Sequence, residues 1–69
     1  MTQEQIENTF TYHAPKGDQT TRYQSIRDCA KELAHNIERN CPDSREKSLA
    51  LTNLQQAVMW ANASIAINE

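Results

Sequence analysis

The sequence predicts an all-α fold: an extended N-terminal arm followed by an antiparallel two-helix hairpin, assembled into a homo-oligomeric helical bundle. Three observations lead there. The stretch from Ser48 to Ile67, SLALTNLQQAVMWANASIAI, carries no charge, Gly or Pro and is built from good or tolerable helix formers. Pro42 separates it from a second helix-periodic stretch by so short a connection that the two must fold back on each other. Finally, 69 residues with two cysteines lack the disulfides or metal that usually stabilise so small a domain, which leaves self-association.

The elements follow in order as one domain, residues 1–69. Met1 to Asn8 is polar, with Ile6 its one interior apolar residue, and reads as a short helical turn or a frayed end. An arm over 8–18 comes next. Its Thr9-Phe10-Thr11-Tyr12-His13 run has the alternation of an extended segment, Pro15 holds Ala14 extended, and Gly17-Asp18 turns the chain. The first long helix is expected over 20–40, capped by Thr20 or Thr21, with Tyr23, Ile26, Ala30, Leu33, Ala34 and Ile37 as its apolar stripe. Asp43 is the expected N-cap of the second, over 44–68, with Glu46 completing a capping box. There Leu51, Leu54, Val58, Ala61 and Ile65 form the core-facing stripe, while Leu49, Ala57 and Trp60 lie on a neighbouring face. One partner helix cannot cover both faces, so a second copy is expected on the other.

Composition excludes several classes. The Ser48–Ile67 stretch has the length of a bilayer span, but Ser48, Thr52, Asn53, Gln55, Gln56, Asn62 and Ser64 interrupt it, so no membrane association is expected. A net charge of −2 argues against a broad grip on DNA. Cys29 and Cys41 lie about 18 Å apart along one helix, beyond disulfide reach. They read as reduced thiols, Cys29 near the core, and a polar N-terminus shows no signal peptide. No zinc site or cofactor is expected, and His13 and His35 have no orienting carboxylate nearby, so the chain reads as a binder and not an enzyme.

The seven bases cluster from Lys16 to Lys47, a pattern that suits a compact anion. Tyr12 and His13 stand on an arm the core does not require. Tyr12 either staples the arm to the hairpin or stacks on a planar ligand, worth roughly 1 to 3 kcal/mol for a base. Arg27 offers a guanidinium able to hold phosphate oxygens in bidentate fashion, with Lys31 one turn on. Arg45 opens the second helix, where free N–H groups favour an anion, although a salt bridge to Glu46 or Asp43 would occupy it equally well. Lys16 and Arg22 are rim candidates. Thr52, Gln56 and Asn62 fall inside the apolar stretch and need partners, whether structural or from a ligand.

These residues together resemble a known family. The run DSREKSLALTNLQQAVMWANASIA, preceded by YQSIRDCAKELA and FTYHAPKGDQ, is similar to the hairpin domain of the phage anti-CBASS protein 2 and anti-Thoeris protein 1 families, from Phe10 to about Glu69. The strongest part is Asp43-x-Arg45, the Leu49-Ala50 pair, Thr52-x-Leu54-Gln55-Gln56, and the Met59-containing small-residue tail ending in Ile65-Ala66. The resemblance implies a small oligomer, often a hexamer, that sequesters cyclic nucleotide messengers of bacterial immunity without hydrolysing them, in the cytoplasm of the infected host. It implies Tyr12 as base-stacking residue, Arg27 in place of a phosphate-binding lysine, and Arg45 as a second phosphate grip from a neighbouring subunit. His13, Lys16, Lys31, Thr52 and Asn62 complete the candidate ligand-binding set. The ligand implied is a cyclic di- or trinucleotide, or a cyclic ADP-ribose isomer. Trp60 and Asn62 depart from the smaller apolar or hydroxyl residues of related chains. The alternative function is a small oligomeric adaptor with no nucleotide ligand, binding a host protein through the Trp60 face. A nucleic-acid-associated protein using the basic hairpin turn is a third.

Overall fold

The computed structural model describes all 69 residues as three helices, α1 (Gln3–Thr9), α2 (Gln19–Asn40) and α3 (Arg45–Asn68). The expected hairpin is present: α2 packs on α3 across the Cys41–Ser44 connection. Its antiparallel sense shows at both ends. Lys47 at the start of α3 bonds to Glu38 near the end of α2, and Glu69 beyond the end of α3 bonds to Gln19 and Arg22 at the start of α2.

The expected stripes face each other, since Ile26, Ala30, Ala34, Ile37, Leu51, Leu54, Val58, Ala61 and Ile65 are all half-buried. None is fully buried, and the chain has no enclosed apolar core. The reason is dimensional. The molecule measures 45 × 28 × 12 Å, and its least dimension is the width of one helix, about 10–12 Å. Helices side by side in one layer cover a seam and leave both broad faces open, whereas a stable domain usually needs two packed layers. Cys29, expected near the core, is therefore exposed, as is Leu33. Met59 is 62% exposed and Trp60 74% exposed.

Three expectations about helix ends are corrected. Of the two readings of Met1 to Asn8 the helical one holds, and the helix runs on through Thr9, which was expected to be extended. Thr2 and Gln5 form a reciprocal capping box that satisfies two free donors, and α1 results. The arm's irregular part shrinks to Tyr12–Lys16, followed by a turn in which Gly17 takes φ +57, a left-handed value that glycine adopts without steric cost. Next, α2 starts at Gln19 and not at Thr20 or Thr21. Asp18 precedes it without a side-chain cap, because its carboxylate turns to Arg22 at 3.2 Å. Finally, Ser44 and not Asp43 caps α3, its hydroxyl accepting from the Lys47 N–H at 3.1 Å. Asp43 reaches Lys47 Nζ at 3.0 Å instead, and no capping box with Glu46 forms.

Candidate functional site

Two polar clusters hold the hairpin at its ends, and both involve residues from the basic group. At the turn, Lys47 is 8% exposed. Its ammonium donates to the Glu38 carbonyl at 3.2 Å and contacts the carboxylates of Asp43 at 3.0 Å and Glu38 at 3.1 Å. The bond to Asp43 leads in raising the Lys47 pKa, against the opposing effect of partial desolvation. Lys47 is thus a staple tying the end of α2 to the start of α3 and is not free for a ligand.

At the opposite end Glu69, just past α3, gathers the start of α2 and the arm. Arg22 grips the Glu69 carboxylate with two nitrogens, one at 2.8 Å, while Gln19, 3% exposed, donates to the same group at 3.3 Å. Hydrogen bonding from Arg22, then from Gln19, lowers the Glu69 pKa to about 2, and the Arg22 pKa rises in return. Lys16 donates to the Glu69 carbonyl and Asn8 to the Ile67 carbonyl, so arm side chains satisfy carbonyls left free at the helix end. His13 Nε2 lies 2.7 Å from the Asn8 carbonyl, beside an open polar cavity of about 800 Å³ under α1. Lys16 and Arg22, expected at a ligand rim, both bond to Glu69 in the single chain.

The remaining candidates divide. Arg27 and Lys31 are exposed neighbours one turn apart on α2. Together they edge a cleft of about 350 Å³ whose floor is apolar, including Leu51, Leu54 and Val58, with Gln55 opposite. Arg27 also edges an adjoining cleft of about 320 Å³, lined by Tyr23, Asn62, Ala63 and Ala66. Its one side-chain bond is to Gln24 at 3.3 Å. Asn62 is half-buried with its Oδ1 out of solvent and unpaired. The structure thus joins Arg27, Lys31 and Asn62 along one side of the hairpin.

Tyr12, 84% exposed, lines none of these clefts. Of the two readings of Tyr12, a staple over the hairpin is the one this exposure does not fit. Arg45 is exposed and takes part in no ion pair, so of its alternatives a bridge to Glu46 or Asp43 within the chain does not form. It stands at the turn, roughly 20 Å along the helix axis from Arg27, and the two cannot meet on one ligand within a chain. Thr52 and Gln56 are exposed and need no protein partner, contrary to their expected burial.

Sequence reasoning missed Gln19 and Glu69, whose pairing spans fifty residues and leaves no local pattern. Lys47 had a legible signal in its spacing of four from Asp43. No three His, Cys, Asp or Glu side chains come together as a metal-binding group, and no helix is long and apolar enough to cross a membrane.

Comparison with known proteins gives one match. Residues 2–66 match the model of the Acb2/Tad1 hairpin domain, a span that includes α1 as well as the arm and hairpin. No curated protein and no solved structure matches the chain. With nearly the whole chain covered, and with the hairpin geometry in agreement, this protein belongs to the Acb2/Tad1 hairpin domain family.

Proposed function

We propose that the chain is a non-catalytic sponge that binds and sequesters cyclic nucleotide messengers of bacterial anti-phage immunity, in the cytoplasm of the infected host, so that the downstream effector is never activated. Membership of the Acb2/Tad1 hairpin family over residues 2–66 carries this reading. The site chemistry supports it. Arg27 and Lys31 place two cations beside an apolar floor, the pairing that a ligand with phosphates and flat bases requires.

The working form is a homo-oligomer, a hexamer by family resemblance. Its surface supports assembly. The chain exposes 5576 Å², whereas a monomeric domain of 7.9 kDa is expected to expose about 4,400 Å². The excess, about 1,200 Å², exceeds the roughly 800 Å² each partner buries in a standard interface. Assembly also supplies the geometry one chain lacks, with Tyr12 and Arg27 of one copy facing Arg45 of another.

Exposure of Trp60 favours one alternative, an adaptor docking a host protein through that face. The deciding experiment incubates purified protein with cyclic dinucleotides, cyclic trinucleotides and cyclic ADP-ribose isomers, then releases the ligand by heat. At least one class is expected to come back chemically unchanged. Calorimetry that detects no binding to any of them at micromolar protein would leave the adaptor as the better account. Tyr12→Ala and Arg27→Ala are expected to abolish binding while light scattering shows the same oligomer.

A further inference from the structure

The hairpin has two broad faces, and they differ in charge. On one, Arg27 and Lys31 edge the cleft with the apolar floor. On the other lies a groove of about 370 Å³, with Ile26, Cys29 and Leu33 along α2 and Ala57 and Ala61 along α3. Ala30, Leu54 and Val58 belong to both clefts, which places the two on either side of the helix seam. Arg27 and Lys31 are each two residues from Cys29, about 200° around a helix of 3.6 residues per turn. No charged side chain lines the groove, and Ser25 supplies its one hydroxyl.

Charge, shape and area all fit this face to a copy of itself. Identical faces that meet about a two-fold axis bring like charges near one another, which opposes pairing of the Arg27–Lys31 face and leaves the uncharged one able to pair. A self-complementary contact must also carry both bulk and a recess to receive it. Leu33 and Trp60 are exposed bulk, Trp60 being a surface neighbour of Ala57 three residues on, while Ala57 and Ala61 present only methyl groups and let a second helix approach closely. The surplus surface of about 1,200 Å² over a compact domain of this mass exceeds the roughly 800 Å² that each partner in a standard interface buries. We infer that the groove between Ile26, Cys29 and Leu33 of α2 and Ala57 and Ala61 of α3 seats a second copy of this chain in a two-fold pair, with the Arg27–Lys31 cleft on the outside of that pair. The inference rests on the assembly in the reading above and not on its ligand. Pairing through this face leaves Arg27 and Lys31 free for a ligand and for the further neighbour that supplies Arg45.

The two thiols give the test an internal control, since both are exposed in the single chain and only Cys29 lines the groove. In oligomeric wild type, Cys29 is expected to react with a neutral maleimide about tenfold or more slower than Cys41, because labelling follows the population of uncovered chains; peptide mass spectrometry assigns the two. Dilution to the single chain should bring the two rates together. Leu33→Glu and Ala57→Glu change exposed positions. Each is expected to keep its helix content by circular dichroism and to cut the mass by light scattering to about half or less, as loss of a two-fold contact requires. Equal reaction of the two thiols in an oligomer overturns the assignment, and so does an unchanged mass in both variants. Wild type that is a single chain at every concentration overturns it too, and leaves the groove to a protein of another kind. Slow Cys29 in an oligomer that binds no cyclic nucleotide upholds this face and sinks the sponge reading alone.

Discussion

Arg27 is the side chain on which most of the proposed chemistry converges, and its geometry can be tested separately from its charge. Arg27→Lys keeps the cation but offers one point donor where the guanidinium offers a fork. Losing one charge-assisted hydrogen bond, worth about 1.5 to 3 kcal/mol, is expected to weaken ligand binding about 10- to 150-fold by calorimetry; an unchanged affinity would place Arg27 away from the phosphate. Acid should act elsewhere. The Glu69 carboxyl has its pKa lowered to about 2 by Arg22 and Gln19, so its contribution is complete above the ordinary carboxylate pKa and is lost as pH falls toward 2. Protection of the amides over residues 16–22, relative to intrinsic exchange at each pH, is expected to fall in that window, and in Glu69→Gln to be low already at neutral pH. At this scale the sequence was legible where a residue contrasts with its neighbours. Asn62 stood out as an amide in an apolar run, whereas Gln19 is buried only because a chain end fifty residues away folds onto it, and no local rule anticipates that.

At the scale of elements, α2 and α3 follow from periodicity and from Pro42, both of which act locally. Their ends do not. Asp43 and Ser44 are both good N-cap residues, and the choice between them is made by Lys47, which draws the Asp43 carboxylate to its ammonium and leaves the hydroxyl of Ser44 for the helix N–H. Ser44→Ala is accordingly expected to lower stability by about 1 kcal/mol, read as a drop in thermal midpoint by circular dichroism. Asp43→Ala should keep α3 capped and instead loosen the turn. An equal helix loss in both would show that capping is shared. The sequence left α1 open between a short helical turn and a frayed end, because Thr2-x-x-Gln5 looks like polar tail until its two reciprocal bonds are seen.

The whole molecule is a slab one helix thick, and its Cα radius of gyration of 15.3 Å exceeds the roughly 11 Å expected of a compact chain of this length. Oligomerisation was argued from the apolar residues outside the main stripe, and the slab supplies the physical ground for it without showing which faces meet. Trp60 is the only tryptophan and is 74% exposed in a single chain. If its face is covered by a second copy, emission at working concentration is expected to lie to the blue of a fully hydrated indole and to shift red on dilution, in step with falling mass by light scattering. Trp60→Glu should then give a monomer at all concentrations. A red, concentration-independent emission from an intact oligomer would place Trp60 outside the assembly surface.

A slab 12 Å thick also ties the chain's lifetime to its abundance. With no interior of its own, a hairpin standing alone presents both helices along their length to proteases, and if copies assemble as proposed, cleavage follows the population of uncovered chains. Scarce copies would be degraded faster than abundant ones. Accumulation would then show a threshold in synthesis rate, below which little intact protein persists and above which it becomes long-lived; pulse-chase turnover at graded expression levels measures this directly.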